Sequence, residues 1–373
     1  MGTGWRVGRL AGIDIAIHPS WLVIAALVTF SLAAGQLPVQ FPGWTEAQYW
    51  IVGTATAFLF FASVLAHELS HAVLARRYGL KVKAITLFIF GGATQLDEEA
   101  ARSRDEALIA LAGPLTSIVI GGAFLGVAAL TDQPQVSALV NWLGVINLAL
   151  GIFNLIPGFP MDGGRVLRAI LWKLRGDRLI ATRNAATVGR AFAFLMVVGG
   201  VTWALMTGEL FSGLWLALIG WFLSNAAGAT AAQAGVEQSL RGVRVRDVMD
   251  ADPPSVSPNE LVNDLVTERL LHGSDRSFLV RHEDGGLAGV VTLDDVRRLP
   301  RESWERARVT DIMTRYPDLA TVGPDDAVTD ALKLLQEREV AQLPVVVEGR
   351  TPVGLLTRGG ILRTIDARLK LGV

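Results

Sequence analysis

The sequence predicts a polytopic α-helical membrane protein of about six spans, with short interfacial β-strands, followed by a soluble α/β domain built from a tandem repeat. Three observations carry that prediction. The 373 residues are 51% hydrophobic and 18% charged, with a mean hydropathy of +0.41, too apolar for a soluble chain of this length. Residues 1–235 hold six apolar runs, each near the ~20 residues that cross the hydrocarbon core. Beyond residue 240 charges become frequent, apolar runs shorten and an internal repeat appears.

The elements follow in order. Trp5 to Ile17 carries Arg6, Arg9 and Asp14 in a polar, alternating pattern, which predicts strand and not a removable signal peptide. The first span covers about 19–35 and the second about 47–70. Lys81 to Gln95 (KVKAITLFIFGGATQ) alternates and is rich in β-formers, a second strand segment at the interface. An edge strand there could pair with an extended peptide, or serve as a structural hairpin. Spans three to six fall at about 107–130, 138–157, 191–207 and 211–229.

Charge then sets the topology. Lys and Arg of residues 1–235 lie before span 1, around 76–104 and from Arg165 to Arg190, whereas loops 36–46, 131–137 and 208–212 have none. The positive-inside rule puts both termini in the cytoplasm of a multi-pass protein of the cell membrane. Net charge is −1 and no basic run suggests nucleic acid. With no cysteine, thiolate metal sites, disulfides and cysteine nucleophiles are excluded, so any metal must use His, Asp and Glu.

The chemistry begins at His67-Glu68-Leu69-Ser70-His71, directly after an uncharged run from Tyr49 to Ala66. Ionisable groups at membrane depth are expensive and mark functional sites. HExxH on a helix sets two imidazoles one turn apart on one face, fit for Zn2+, with the Glu beside them as general base. The alternative is a polar helix end beneath a span. A catalytic zinc needs a third protein ligand, and the candidate is Asp162 in Asn154-Leu-Ile-Pro-Gly-Phe-Pro-Met-Asp162-Gly-Gly-Arg165. Pro157 and Pro160 cannot continue a helix, and broken backbone at membrane depth is tolerated only inside protein or along a wet cavity. Asp162 reads equally as a plain helix cap.

Gly113-Pro114 predicts a bend and close helix packing. His18 reads as an interfacial structural residue, and Asn147, seven positions before Asn154 and so on the same helix face, as a cavity-lining residue or, in preference, as glue between helices.

A polar small-residue stretch from Gly228 to Gly242 reads as a linker, with the linker proper assigned to residues 236–243. Val245-Arg-Asp-Val-Met249 matches Val309-Thr-Asp-Ile-Met313, and Gly289-Val-Val-Thr292 matches Gly354-Leu-Leu-Thr357. This gives a β-α-β-β-α unit twice, at 244–301 and 308–369.

Taken together, AHELSH, AGPLTS and NLIPGFPMDGGR resemble the site-2 protease family of intramembrane zinc metalloproteases, over the whole of residues 1–235. The repeats resemble a tandem pair of cystathionine-β-synthase-type (CBS) domains. The resemblance implies one Zn2+ held by His67, His71 and Asp162, Glu68 as general base and acid, and Asn154 steadying the substrate carbonyl. It implies a single-span membrane protein as substrate, such as an anti-sigma or pro-sigma factor, cut within the bilayer. For the repeats it implies an adenine nucleotide (ATP, ADP or AMP) contacted by Thr292 and Asp295 of GVVTLDD; the second copy, GLLTRGG, has Gly360 in place of the Asp. Without a ligand, the pair would act as a structural or homodimerising module. The rival reading is a CBS-regulated membrane metal transporter, which predicts more polar residues along several spans than this sequence offers.

Overall fold

The computed structural model describes residues 4–371 except 90, 97–98, 273–274 and 349, and divides into two units, residues 1–234 and 235–373. In the first unit, α1 (Ser20–Phe30), a π-helical turn (Ser31–Gln36) and α2 (Leu37–Gln40) make one continuous span. The other five are α3 (Glu46–Arg77), α4 (Ser103–Ala128), α5 (Pro134–Asn154), α7 (Arg178–Thr207) and α8 (Leu210–Ser239). A shorter helix, α6 (Asp162–Arg175), lies between the fourth and fifth spans. The six spans are those expected. Their faces carry exposed Phe58, Val119, Phe194, Leu205, Met206 and Phe211, apolar side chains suited to contact with lipid.

Helix α3 is the longest element. Thr45 and Gln48 cap its start reciprocally, Thr45 Oγ1 accepting from Gln48 N and Gln48 Oε1 from Thr45 N. Glu46 in the first turn and Arg76 and Arg77 in the last complement the helix dipole. Its 32 residues span about 48 Å, longer than the hydrocarbon is thick, so the HExxH lies well inside a rigid helix and not at a frayed end.

The two alternating segments form one four-stranded sheet in the order β1 (Trp5–Leu10), β2 (Ile13–Ile17), β3 (Val82–Phe88), β4 (Gly91–Leu96). β2 and β3 pair in parallel and the outer pairs are antiparallel, which leaves β4 at an edge. Ile13, Ile15 and Ile85 pack the sheet onto Ala72, Leu65 and Leu69 of α3, one face against the helix that carries the HExxH.

After Asn154 the chain breaks as predicted. Residues 155–161 are irregular, and Phe159 N donates to Ala185 O of α7. Gly189 of α7 leaves room for the Phe159 backbone, where a side chain would collide. Through the stretch expected to be a linker, Gly228 to Ser239 continues α8, its Ala-rich sequence favouring helix. Val236, Leu240 and Val243 pack into the core of the second unit.

The second unit holds β5 (Ser255–Val256), α9 (Val262–Asp264) running into a π-helical turn (Leu265–Leu270), β6 (Ser277–Arg281), β7 (Leu287–Thr292) and α10 (Leu293–Arg298). Then come α11 (Val309–Ile312), β8 (Thr314–Arg315), α12 (Val328–Glu337), β9 (Gln342–Val347), β10 (Thr351–Thr357) and α13 (Arg358–Leu371). The two repeats exchange their leading segments. Val243 and Val245 lie in the core built by Val328, Leu343 and Leu356, while Val309 lies with Val256, Phe278 and Val291. β8 accordingly pairs with β7 of the first copy, and Asp250 bridges Leu355 of β10. The matching glycines fit this exchange: a side chain on Gly289 would strike Met313, and one on Gly354 would strike Met249.

Candidate active site

Helix α3 and the start of α6 bring three donors to one point. His67 Nε2 and His71 Nε2 lie 3.2 and 3.1 Å from Asp162 Oδ2, and 3.2 Å from each other. Both imidazoles are buried and the carboxylate nearly so. Among the described residues this is the one cluster of three or more His, Cys, Asp or Glu side chains whose donor atoms lie within 4.8 Å of one another. Asp162 is therefore not a plain cap. It is the first residue of α6, makes no capping bond, and turns its carboxylate to the imidazoles.

The remaining ring nitrogens are committed. His71 Nδ1 lies 2.7 Å from the Ile109 carbonyl and His67 Nδ1 lies 2.9 Å from Ser117 Oγ. A carbonyl only accepts, so His71 Nδ1 carries a hydrogen, and in the neutral tautomer that this fixes the Nε2 lone pair faces Asp162. Lone pairs converging at this spacing repel unless a cation lies between them. The donor set, two imidazoles and one carboxylate, is one that holds zinc in hydrolytic sites. Gly113 lies directly behind: a Cβ there would sit 2.5 Å from His67 Nε2 and closer still to His71 Nε2. The predicted tight packing at Gly113-Pro114 is thus a wall of the site itself.

Glu68, one position after His67, faces the sheet. Its Oε2 accepts from Thr94 Oγ1 of β4 at 2.7 Å, and Gly92 of the same strand lies flat against its side chain. Asn154 ends α5 and its amide donates to Leu150 O; among the described residues it bonds to neither imidazole, Asp162 nor Glu68. Asn147 is fully buried, yet its amide also folds back, donating to Leu143 O of its own helix, so it is not the glue between helices that was expected. His18 bonds Ser20 Oγ through Nδ1 and lies apart from the cluster, as expected.

Behind Asp162, α6 is anchored by charge. Arg168 is buried and pairs with buried Glu106 of α4 and with Glu99, which also pairs with Arg178 of α7. Burial works against ionising Glu99, but the Arg168 and Arg178 guanidiniums outweigh it and hold the carboxyl below its usual range. Sequence reasoning missed Ser117, Thr94, Glu106 and Arg168. The signal for Glu106 and Arg168 was present, as charged residues flanking apolar spans, but nothing in the sequence paired them.

In the second unit Thr292 and Asp295 cap α10 reciprocally. Thr292 N and Oγ1 donate to Asp295 Oδ2, at 2.9 and 2.7 Å, and Asp295 N donates to Thr292 Oγ1. In the second copy Gly360 N donates to Thr357 Oγ1, with no carboxylate to complete the pair.

Comparison with known proteins gives a consistent picture. A sequence model of peptidase family M50 matches residues 55–134 and 129–198, and one of the CBS domain matches 245–302 and 309–367. Rip3 of Mycobacterium tuberculosis is 36% identical over 364 residues, 96% of this chain and 92% of Rip3. The zinc metalloprotease MJ0392 of Methanocaldococcus jannaschii is 29% identical over 363 residues, 97% of this chain and 96% of that one. Among solved structures, the site-2 protease from Methanocaldococcus jannaschii is 31% identical, with a TM-score of 0.43, over 61% of this chain and 95% of that one.

Proposed function

The chain belongs to peptidase family M50, zinc metalloproteases of the site-2 type, and from that premise we propose that it hydrolyses a peptide bond in or near the transmembrane segment of a single-span membrane protein. The observation that carries this reading is the convergence of Asp162 on His67 and His71, which with Glu68 belong to a helix long and apolar enough to cross the bilayer.

On this reading His67, His71 and Asp162 hold one zinc ion. When bound, the ion supplies Lewis acidity, polarising a carbonyl and lowering the pKa of a water toward ~7. Glu68 takes the proton from the attacking water and returns it to the leaving amine, and Thr94 keeps its carboxylate oriented. Asn154 steadies the carbonyl oxygen of the scissile bond once a substrate draws its amide away from Leu150. No residue forms a covalent intermediate.

A transmembrane helix shields its carbonyls with its own hydrogen bonds and must unwind before it is cut. The open edge of β4 offers replacement backbone partners, and Thr94 of that strand already contacts Glu68. Both termini are cytoplasmic by the distribution of Lys and Arg, so the released product is cytoplasmic, as an anti-sigma or pro-sigma factor would require. The CBS pair takes an adenine nucleotide at Thr292 and Asp295 and biases the protease through differential affinity for its states, or dimerises the chain.

Glu68→Gln tests the reading. The variant should keep one zinc per chain and lose cleavage of a membrane-tethered single-span substrate. Cleavage that persists would refute the mechanism, and zinc uptake into vesicles without cleavage would favour transport instead.

A further inference from the structure

Helix α4 meets the imidazole pair at three positions spaced by four: the Ile109 carbonyl, Gly113 and the Ser117 hydroxyl. His67 and His71 have the same spacing on α3, so the two helices meet in register, one turn against one turn. The two contacts differ in kind. The Ile109 carbonyl can only accept, which puts the hydrogen of His71 on Nδ1 whatever the side chain at 109. The Ser117 hydroxyl can donate or accept.

If Ser117 donated to His67 Nδ1, the hydrogen of a neutral His67 would lie on Nε2, and His67 would present no lone pair where His71 Nε2 and Asp162 Oδ2 converge. If Ser117 accepts, the hydrogen lies on Nδ1 and the Nε2 lone pair points where those of His71 and Asp162 converge. Ser117 is fully buried, and its hydroxyl lies 2.9 Å from His67 Nδ1. We propose that Ser117 is a positioning residue: by accepting the Nδ1–H of His67 it fixes the tautomer and ring orientation that make Nε2 a zinc ligand. The inference rests on the reading that His67 binds zinc. It makes position 117 the side chain through which metal affinity is set, since the partner of His71 is backbone.

Zinc affinity of the full-length chain in detergent, measured by competition with a chromophoric chelator, tests this. Ser117→Ala should bind zinc roughly 10–100-fold more weakly than wild type, while Ser117→Thr, which keeps the acceptor, stays near wild type. In a His67→Ala background, Ser117→Ala should weaken binding no further. The inference is overturned if Ser117→Ala binds like wild type, if Ser117→Thr is as weak as Ser117→Ala, or if the loss is undiminished without His67. The underlying reading fails separately, if wild type takes up no zinc or His67→Ala leaves its affinity unchanged.

Discussion

Thr94 Oγ1 donates to Glu68 Oε2 at 2.7 Å and so ties an edge strand to the carboxylate proposed to move the proton. The bond fixes the carboxylate without touching the His67, His71 and Asp162 cluster, so orientation of the base and retention of the metal are separable. Thr94→Val should lower kcat roughly 10–100-fold, the worth of one hydrogen bond to a charged group, with zinc content unchanged. Turnover of a membrane-tethered substrate and metal analysis of the same preparation check it. Loss of zinc in parallel with activity would mean that the strand holds the whole site.

Gly113 makes the opposite prediction. A methyl group there would occupy the space between the two Nε2 atoms, within 2.5 Å of that of His67. Gly113→Ala should therefore purify folded but with far less than one zinc per chain, read by elemental analysis.

The Arg168–Glu106 pair predicts a stability effect. Arg168→Met leaves Glu106 at 2% exposure without its guanidinium, and breaking a buried pair from one side costs about 3–5 kcal/mol. The double variant Arg168→Met/Glu106→Leu should recover most of that loss, because no buried charge is left over. Thermal unfolding of both variants in detergent measures it.

Glu99 sets an acid limit. Its carboxyl titrates below the unfolded value of 4.5 because Arg168 and Arg178 favour the charged form over the opposing effect of burial. A depressed carboxylate contributes stability above the unfolded pKa and loses it as pH falls through the folded one. The membrane unit should thus weaken as pH drops from about 4.5, and Glu99→Gln should flatten that part of a Tm-against-pH curve.

Much of this arrangement is legible in the sequence. Six apolar runs, the placement of Lys and Arg, the HExxH and the Pro- and Gly-broken end of the fourth span named four of the residues now found around one point or beside it. The VRDVM and VTDIM copies likewise announced a paired domain. Each is a local signal, written within a few turns of chain, and local propensity and burial suffice to read it. The stretch from Gly228 to Ser239 is read from sequence as a linker because its Gly, Thr, Gln and Ser residues suit loops, whereas in the structure its alanines continue α8, with Ala227 and Ala231 packed.

What the sequence determined alone was the inventory: which segments cross the membrane, which residue types a hydrolytic metal site would draw on, and that the tail is a duplicated module. Tertiary structure decided the partnerships. Parallel pairing of β2 with β3 joins strands some 65 residues apart and leaves β4 as an edge against Glu68. Packing of α4 on α3 delivers Ile109, Gly113 and Ser117 to the imidazoles, and the exchange of leading segments between the repeats puts Met313 on Gly289 and Met249 on Gly354. These contacts depend on helix register and on close approach of backbones distant in the chain, neither of which leaves a periodic trace in a single sequence.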